Sequence, residues 1–238
     1  MKEKDGSTYK GEVPEGEGSL LDKEGSYYKG RFELGVLNGE GTKTVKDGTV
    51  YKANFLNGKI NENFDVEVNW TDGSHYVGQW KSKPHGKGLF KTFDENNQQM
   101  SLNGVFEEGN FKSGTAKFSN GLVLEGNFEN SDLSNSISHN FKLISGKMVF
   151  PNGDVYQGEF ENGLPDGEGV LQNEDGEFFV GVFKEGHLVD GSHFDESGDT
   201  LISSVNVPSY ISQLKNNPVP YLDLNDGNKI PQTILGTL

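Results

Sequence analysis

The stretch from Pro151 to Leu171 reads Pro-Asn-Gly-Asp-Val-Tyr-Gln-Gly-Glu-Phe-Glu-Asn-Gly-Leu-Pro-Asp-Gly-Glu-Gly-Val-Leu. Pro151-Asn152-Gly153 and Pro165-Asp166-Gly167 are turn signals around two short alternating runs, so the stretch reads as a β-hairpin. In the first run Tyr156, Gly158 and Phe160 are two residues apart and share a face, while Gln157 and Glu159 point to the other. In the second run Gly167 and Gly169 share a face. Glycine weakens a strand unless something needs the space, so the pattern predicts aromatic rings lying over bare backbone.

The same device recurs along the chain. Its first position is Tyr9, Tyr28, Tyr51, Tyr76, Leu102, Leu124, Tyr156 and Phe179. Four residues later stand Val13, Phe32, Phe55, Trp80, Phe106, Phe128, Phe160 and Phe183. A glycine separates each pair except at Ala53. These are eight copies spaced 19, 23, 25, 26, 22, 32 and 23 residues apart, which is the signature of a repeat array.

The pattern resembles the MORN repeat (membrane occupation and recognition nexus), a Gly-x-Tyr-x-Gly-x-Trp/Phe-x-x-Gly run followed by Gly-x-Gly. The best matches are Gly153 to Leu171, Gly73 to Phe90 with its Pro84-His85-Gly86-Lys87-Gly88 turn, and Ser26 to Thr42. The resemblance implies an all-β fold, an elongated single-layer antiparallel meander of about eight hairpins. It implies a choice of functions rather than one: membrane tethering, scaffolding of cytoskeletal and ciliary assemblies, or service as an accessory domain of an enzyme. The expected organisation is an array over residues 6–194, with an insertion near 130–140 where one spacing lengthens to 32, followed by a mostly irregular tail over 195–238. The insertion is rich in Ser and Asn and reads as a surface loop.

Composition narrows the function classes. The 238 residues carry a net charge of -15, no cysteine and 33 glycines. Cysteine-based catalysis, disulfides and cysteine-rich zinc sites are excluded. No run approaches the ~20 apolar residues of a membrane span, and no signal segment is read at the start, so the expectation is a cytoplasmic protein; a cytoskeletal or ciliary location is what the resemblance implies. Residues 1–100 hold 14 Lys/Arg against 16 Asp/Glu, whereas 101–238 hold 7 against 20. An anionic partner can therefore approach only the first part. Opposite the rings there, Lys10, Lys29, Arg31 and Lys52 form the candidate contact for such a partner, tubulin or an acidic phospholipid, although the acidic second part opposes a membrane surface.

Sites for chemistry are missing from the pattern. No Gly-x-Gly pair continues into a dinucleotide fingerprint or a helix, the five histidines lack the spacing of hydrolytic zinc sites, and the paired carboxylates are adjacent and exposed. No cofactor, no catalytic role and no nucleic-acid partner are expected. The tail carries scattered apolar residues. In the last copy Phe178, Val180 and Val182 alternate with Phe179 and Phe183, making a strand apolar on both faces that requires a cover. Tyr210, Ile211, Leu214 and Tyr221 of the tail are the expected cover, the alternative being that the tail over 195–238 is a partner-binding arm. The function read from the sequence is a non-enzymatic scaffold that binds other proteins in a cytoskeletal or ciliary (axonemal) assembly. The alternatives are a peripheral adaptor for acidic phospholipids and an accessory subunit of an enzyme on another chain.

Overall fold

The computed structural model describes residues 8–11, 16–93, 97–129 and 142–203. These contain strands joined by turns and no helix. Packing divides the chain into two units, Met1–Phe93 with Val105–Gly109, and Asp94–Gly104 with Asn110–Leu238. Each is an antiparallel meander in which consecutive strands pair, except that in the first unit the strand Val50–Leu56 pairs with both Lys59–Ile60 and Val66–Asn69.

The first unit holds β1 (Thr8–Gly11), β2 (Gly16–Leu21), β3 (Tyr27–Glu33), β4 (Val36–Thr44), β5 (Val50–Leu56), β6 (Lys59–Ile60), β7 (Val66–Asn69), β8 (His75–Trp80) and β9 (Pro84–Phe93). β10 (Gln99–Glu107) contributes most of its length to the second unit. There it precedes β11 (Asn110–Phe118), β12 (Val123–Glu129), β13 (Lys142–Val149), β14 (Val155–Glu161), β15 (Leu164–Gln172), β16 (Phe178–Lys184), β17 (His187–Phe194) and β18 (Thr200–Ser203). Residues 130–141 connect β12 to β13, whose ends pair as Glu129 with Lys142.

Two kinds of turn alternate. The first is a two-residue turn such as Asn162-Gly163, with φ of 53° and 79°. Positive φ at both positions is the type I′ geometry, whose twist matches that of the flanking strands. Leu34, Asn57, Glu108 and Glu185 occupy the same position, with φ between 49° and 52°. The second is an Asx turn: Asp47 Oδ1 accepts the Thr49 N–H at 2.8 Å, Asp72 accepts that of Ser74 at 2.8 Å, and Asn120 accepts that of Leu122 at 3.0 Å.

The hairpin turn of the founding stretch is thus Asn162-Gly163, and Pro165-Asp166-Gly167 lies inside β15. Likewise Pro84-His85-Gly86-Lys87-Gly88 lies inside β9. The ladder shifts register between Gly158 and Phe160, and Gly167, at φ +100°, supplies the bulge. A Cβ there would meet the Glu159 side chain, on the face away from the rings. The two glycines of Gly-x-Gly therefore do separate jobs.

Gly169 does the other one. A Cβ built on it would lie 2.5 Å from Cζ and 2.6 Å from Cε2 of Tyr156. Tyr156, rather than Phe160, is the ring over this glycine. Elsewhere the glycine positions oppose one another directly, running Gly114, Gly126, Gly146, Gly158, Gly169, Gly181, Gly191 across the second unit. At most of these, as at Gly126, a Cβ would strike the facing backbone, so close approach of neighbouring strands needs glycine even where no ring lies above.

The rings form the core of each unit. Phe32, Phe55, Tyr76, Trp80 and Phe106 are buried in the first, and Phe128, Tyr156, Phe160, Phe179 and Phe183 in the second. Leu102 and Leu124, which stand where the repeat has tyrosine, are 0% exposed, so leucine fills the position. Tyr28 and Tyr51 are half-buried. Tyr9 lies in β1, where only the backbone is described. Tyr156 packs edge-on against Phe160 at 5.0 Å and Phe183 at 4.9 Å, and Tyr76 against Phe106 at 5.5 Å.

Candidate binding faces

Alternation places every second residue of each strand on the face away from the rings. The ring face is closed by its own side chains. The opposite face, called here the back face, is the one left to solvent, and it differs between the units.

In the first unit one row across the back face runs Ser19, Lys29, Thr42, Lys52, Glu67, Val77, Leu89, in register. Lys29, Arg31 and Lys52 are exposed on this face. Arg31 Nε lies 3.6 Å from Glu33, and Lys52 Nζ 3.3 Å from Glu67 Oε2. Two of the three cations thus have a carboxylate at hand. Hydrogen bonds from Asn69 and then Lys52 hold the Glu67 carboxyl below its usual range. Lys10 lies in β1, and its side chain is outside the described residues.

A groove of about 680 Å³ opens on this unit, lined by Glu40, Thr42, Lys52, Asn54, Phe64 and Val77 among others. Its origin is local. β5 pairs with β7 through Val50–Lys52 and with β6 through Phe55 and Leu56, so the ladder parts beside Ala53, the one copy lacking glycine. Phe64 is 51% exposed and Val77 37%, so the groove offers two apolar side chains rimmed by carboxylates. Sequence reasoning did not single it out, but Ala53 and the displaced spacing after it were the available signal.

In the second unit the back face is apolar at its C-terminal end. Val170 pairs with Val180, and Val182 stands beside Val180 along β16; the three are 38–40% exposed. Phe178 pairs with Gln172 on one side and with Phe194 on the other, and is half-buried. Glu125, Glu159, Glu168 and Asp190 lie on the same face. Tyr210, Ile211, Leu214 and Tyr221, the expected cover, lie outside the described residues.

Core residues that the ring pattern did not name stand five positions after the second ring: Leu37 after Phe32, Phe111 after Phe106, Pro165 after Phe160 and Leu188 after Phe183, all buried. Leu37, Pro165 and Leu188 pair across the type I′ turn with the ring that precedes them. His193 takes a ring-face position opposite Phe179 and stacks on it at 4.1 Å.

Other features are structural. A cavity of about 20 Å³ beside Tyr156, Pro165 and Phe183 is too small for a ligand. The buried Asp154 accepts the Glu174 N–H at 3.0 Å and an amide proton from Asn152 at 2.8 Å, tying neighbouring turns together. Among the described residues no group of three or more His, Cys, Asp or Glu is placed to hold a metal, and no helix is long and apolar enough to cross a membrane.

A glycine row, rings on one face and an open back face define a hairpin-repeat protein. The MORN repeat family model matches the chain at four places, residues 28–50, 76–94, 145–155 and 156–178. The chain carries MORN repeats. No curated protein matches it. Among solved structures it is similar to the SAS-4 (dCPAP) TCP domain of Drosophila melanogaster in complex with a proline-rich motif of Ana2, at 10% identity, 76% of this chain, 85% of that one and a TM-score of 0.39. The TCP10 domain of Danio rerio CPAP with a STIL peptide matches at 15% identity over 84% of this chain and 99% of that one, with a TM-score of 0.32. BamB from Moraxella catarrhalis follows at 9% identity, 87% of each chain and a TM-score of 0.19. Such low scores are no ground for assigning a partner.

Proposed function

We propose that this chain is a non-enzymatic scaffold that binds other proteins through the back faces of its hairpin units, in an assembly of the cytoskeletal or ciliary kind. The observation that carries the reading is the division of labour between faces. Large side chains on the ring face are spent on the core, with Tyr76 and Tyr156 at 0% exposure, while Phe64, Val77, Val170 and Val180 remain open on the other side. Exposed apolar residues set among carboxylates match the anatomy of a protein-binding patch, apolar at the centre and polar at the rim. In the first unit the groove beside Ala53 is the seat. Its exposed phenylalanine suits an apolar anchor, and Glu40, Asp65 and Glu67 suit a basic flank. The cytoskeletal setting rests on the family resemblance.

The test is photocrosslinking of the full chain in native extract, with the reactive group at Val77 or at turn residue Leu34. A discrete protein crosslinked from Val77, competed by unlabelled chain and lost in Phe64→Ala, is the expected result. Equal, uncompeted labelling from both positions would sink the reading. The acidic-phospholipid alternative draws on Lys29, Arg31 and Lys52, two of which lie beside carboxylates. Flotation with phosphoinositide vesicles at physiological salt tests it separately, and retention in the aqueous fraction is expected.

A further inference from the structure

We propose that residues 205–224 of this chain dock on the back face of the second unit, over the Val170–Val180 pair and Phe178, so that the chain covers its own apolar end. The route is fixed by register. β18 ends at Ser203, which lies opposite Ser192, and Ser192 lies opposite Val180. The chain thus leaves the ladder in the same cross-strand row as Val180 and two strands away, about 10 Å at the usual strand spacing. A handful of residues spans that distance.

Composition selects this occupant over a second copy. Residues 110–203 carry 5 Lys against 16 Asp/Glu, so two such faces repel, and Glu168 and Asp190 flank the apolar side chains. Residues 204–238 carry 2 Lys and 2 Asp, and bring Val205, Val207, Tyr210, Ile211, Leu214, Val219, Tyr221 and Leu222 without added charge of one sign. Tethering makes the encounter intramolecular, which raises the effective concentration without any new contact. β18 also pairs with β17 only over Ser192–Phe194, and terminal hairpins of a repeat array need a cap.

The absence of cysteine permits a clean test in the full-length chain. A nitroxide is attached at Ser212→Cys, and amide signals are followed by nuclear magnetic resonance. The expected result is loss of the Val170, Val180 and Val182 amide signals and those of their strand neighbours by paramagnetic broadening, with the amides of β11, five strands away across the same unit, unaffected. Reducing the nitroxide restores them. Ile211→Glu with Leu214→Glu, changes in the tail that leave the sheet intact, should reduce the broadening to the weak level that an undocked tether gives, as should Val180→Lys. Broadening no stronger than in the Ile211→Glu, Leu214→Glu variant overturns the proposal. Broadening of an isotope-labelled, nitroxide-free chain mixed with the labelled one overturns it in favour of a second copy.

Discussion

Replacing Gly169 with alanine tests the packing rule on which each hairpin depends. The added Cβ would sit 2.5 Å from Cζ and 2.6 Å from Cε2 of Tyr156, against the 3.5–4.0 Å at which carbon atoms are at ease. The ring must retreat by about 1 Å. Tyr156 is 0% exposed, its hydroxyl donates to the Glu159 carbonyl at 3.1 Å, and Phe160 and Phe183 stand against it, leaving only the 20 Å³ cavity. Overpacking of this kind costs about 1–3 kcal/mol, reduced by the ~0.5–1 kcal/mol that alanine gains over glycine in a strand. Tyr156→Leu removes the part of the ring that clashes, and Leu102 and Leu124 already fill the equivalent position in two other copies. Gly169→Ala should therefore cost less in the Tyr156→Leu background, with a coupling of about 1–2 kcal/mol. Native-state hydrogen exchange of the β14–β16 amides is the suitable assay, because neighbouring repeats need not open together. Additivity within ~0.5 kcal/mol would refute the claim that the ring is what forbids a Cβ there.

Further expectations follow from the turns, the rings and the faces. Leu34 is 88% exposed at φ 49°, a conformation that Asn adopts more readily than Leu, so Leu34→Asn should stabilise the first unit by about 0.5–1 kcal/mol in thermal unfolding. A lowered midpoint would contradict the strain argument. Burial pushes the Tyr156 phenol from 10.0 up to about 12, with Glu159 and Asp166 adding to the shift. The folded state then holds a proton that the unfolded chain has lost, so this stability is whole below pH 10 and declines as pH rises toward about 12. Tyr156→Phe should flatten the decline in a pH series of urea melts, and an unchanged slope would remove Tyr156 from the account. Phe160→Ala should destabilise its hairpin by about 3–5 kcal/mol, whereas Lys29→Glu and Arg31→Glu should leave melting unchanged and alter only partner binding. Equal melting of both kinds of variant would mean that the faces are assigned wrongly.

Sequence alone determined the repeat, the alternation and the ring positions, because a strand has a period of two and each copy states its own hairpin within about two dozen residues. Asp or Asn before Gly was equally legible as a turn but not as a type, since Asn162-Gly163 closes a type I′ hairpin while Asp47-Gly48 and Asn120-Gly121 form Asx turns. Three things waited for tertiary structure. Pro165-Asp166-Gly167 reads as a turn by composition, yet Asn162-Gly163 makes the turn, because only the paired strands reveal which glycine carries positive φ to close the hairpin and which to bulge a strand. The ring over Gly169 belongs to Tyr156 and not Phe160, a matter of cross-strand register invisible within one strand. The groove beside Ala53 and the pairing of Val170 with Val180 likewise exist only across strands, where side chains distant in the chain are brought within contact. Local pattern fixes what each residue faces, and neighbouring hairpins decide what it touches.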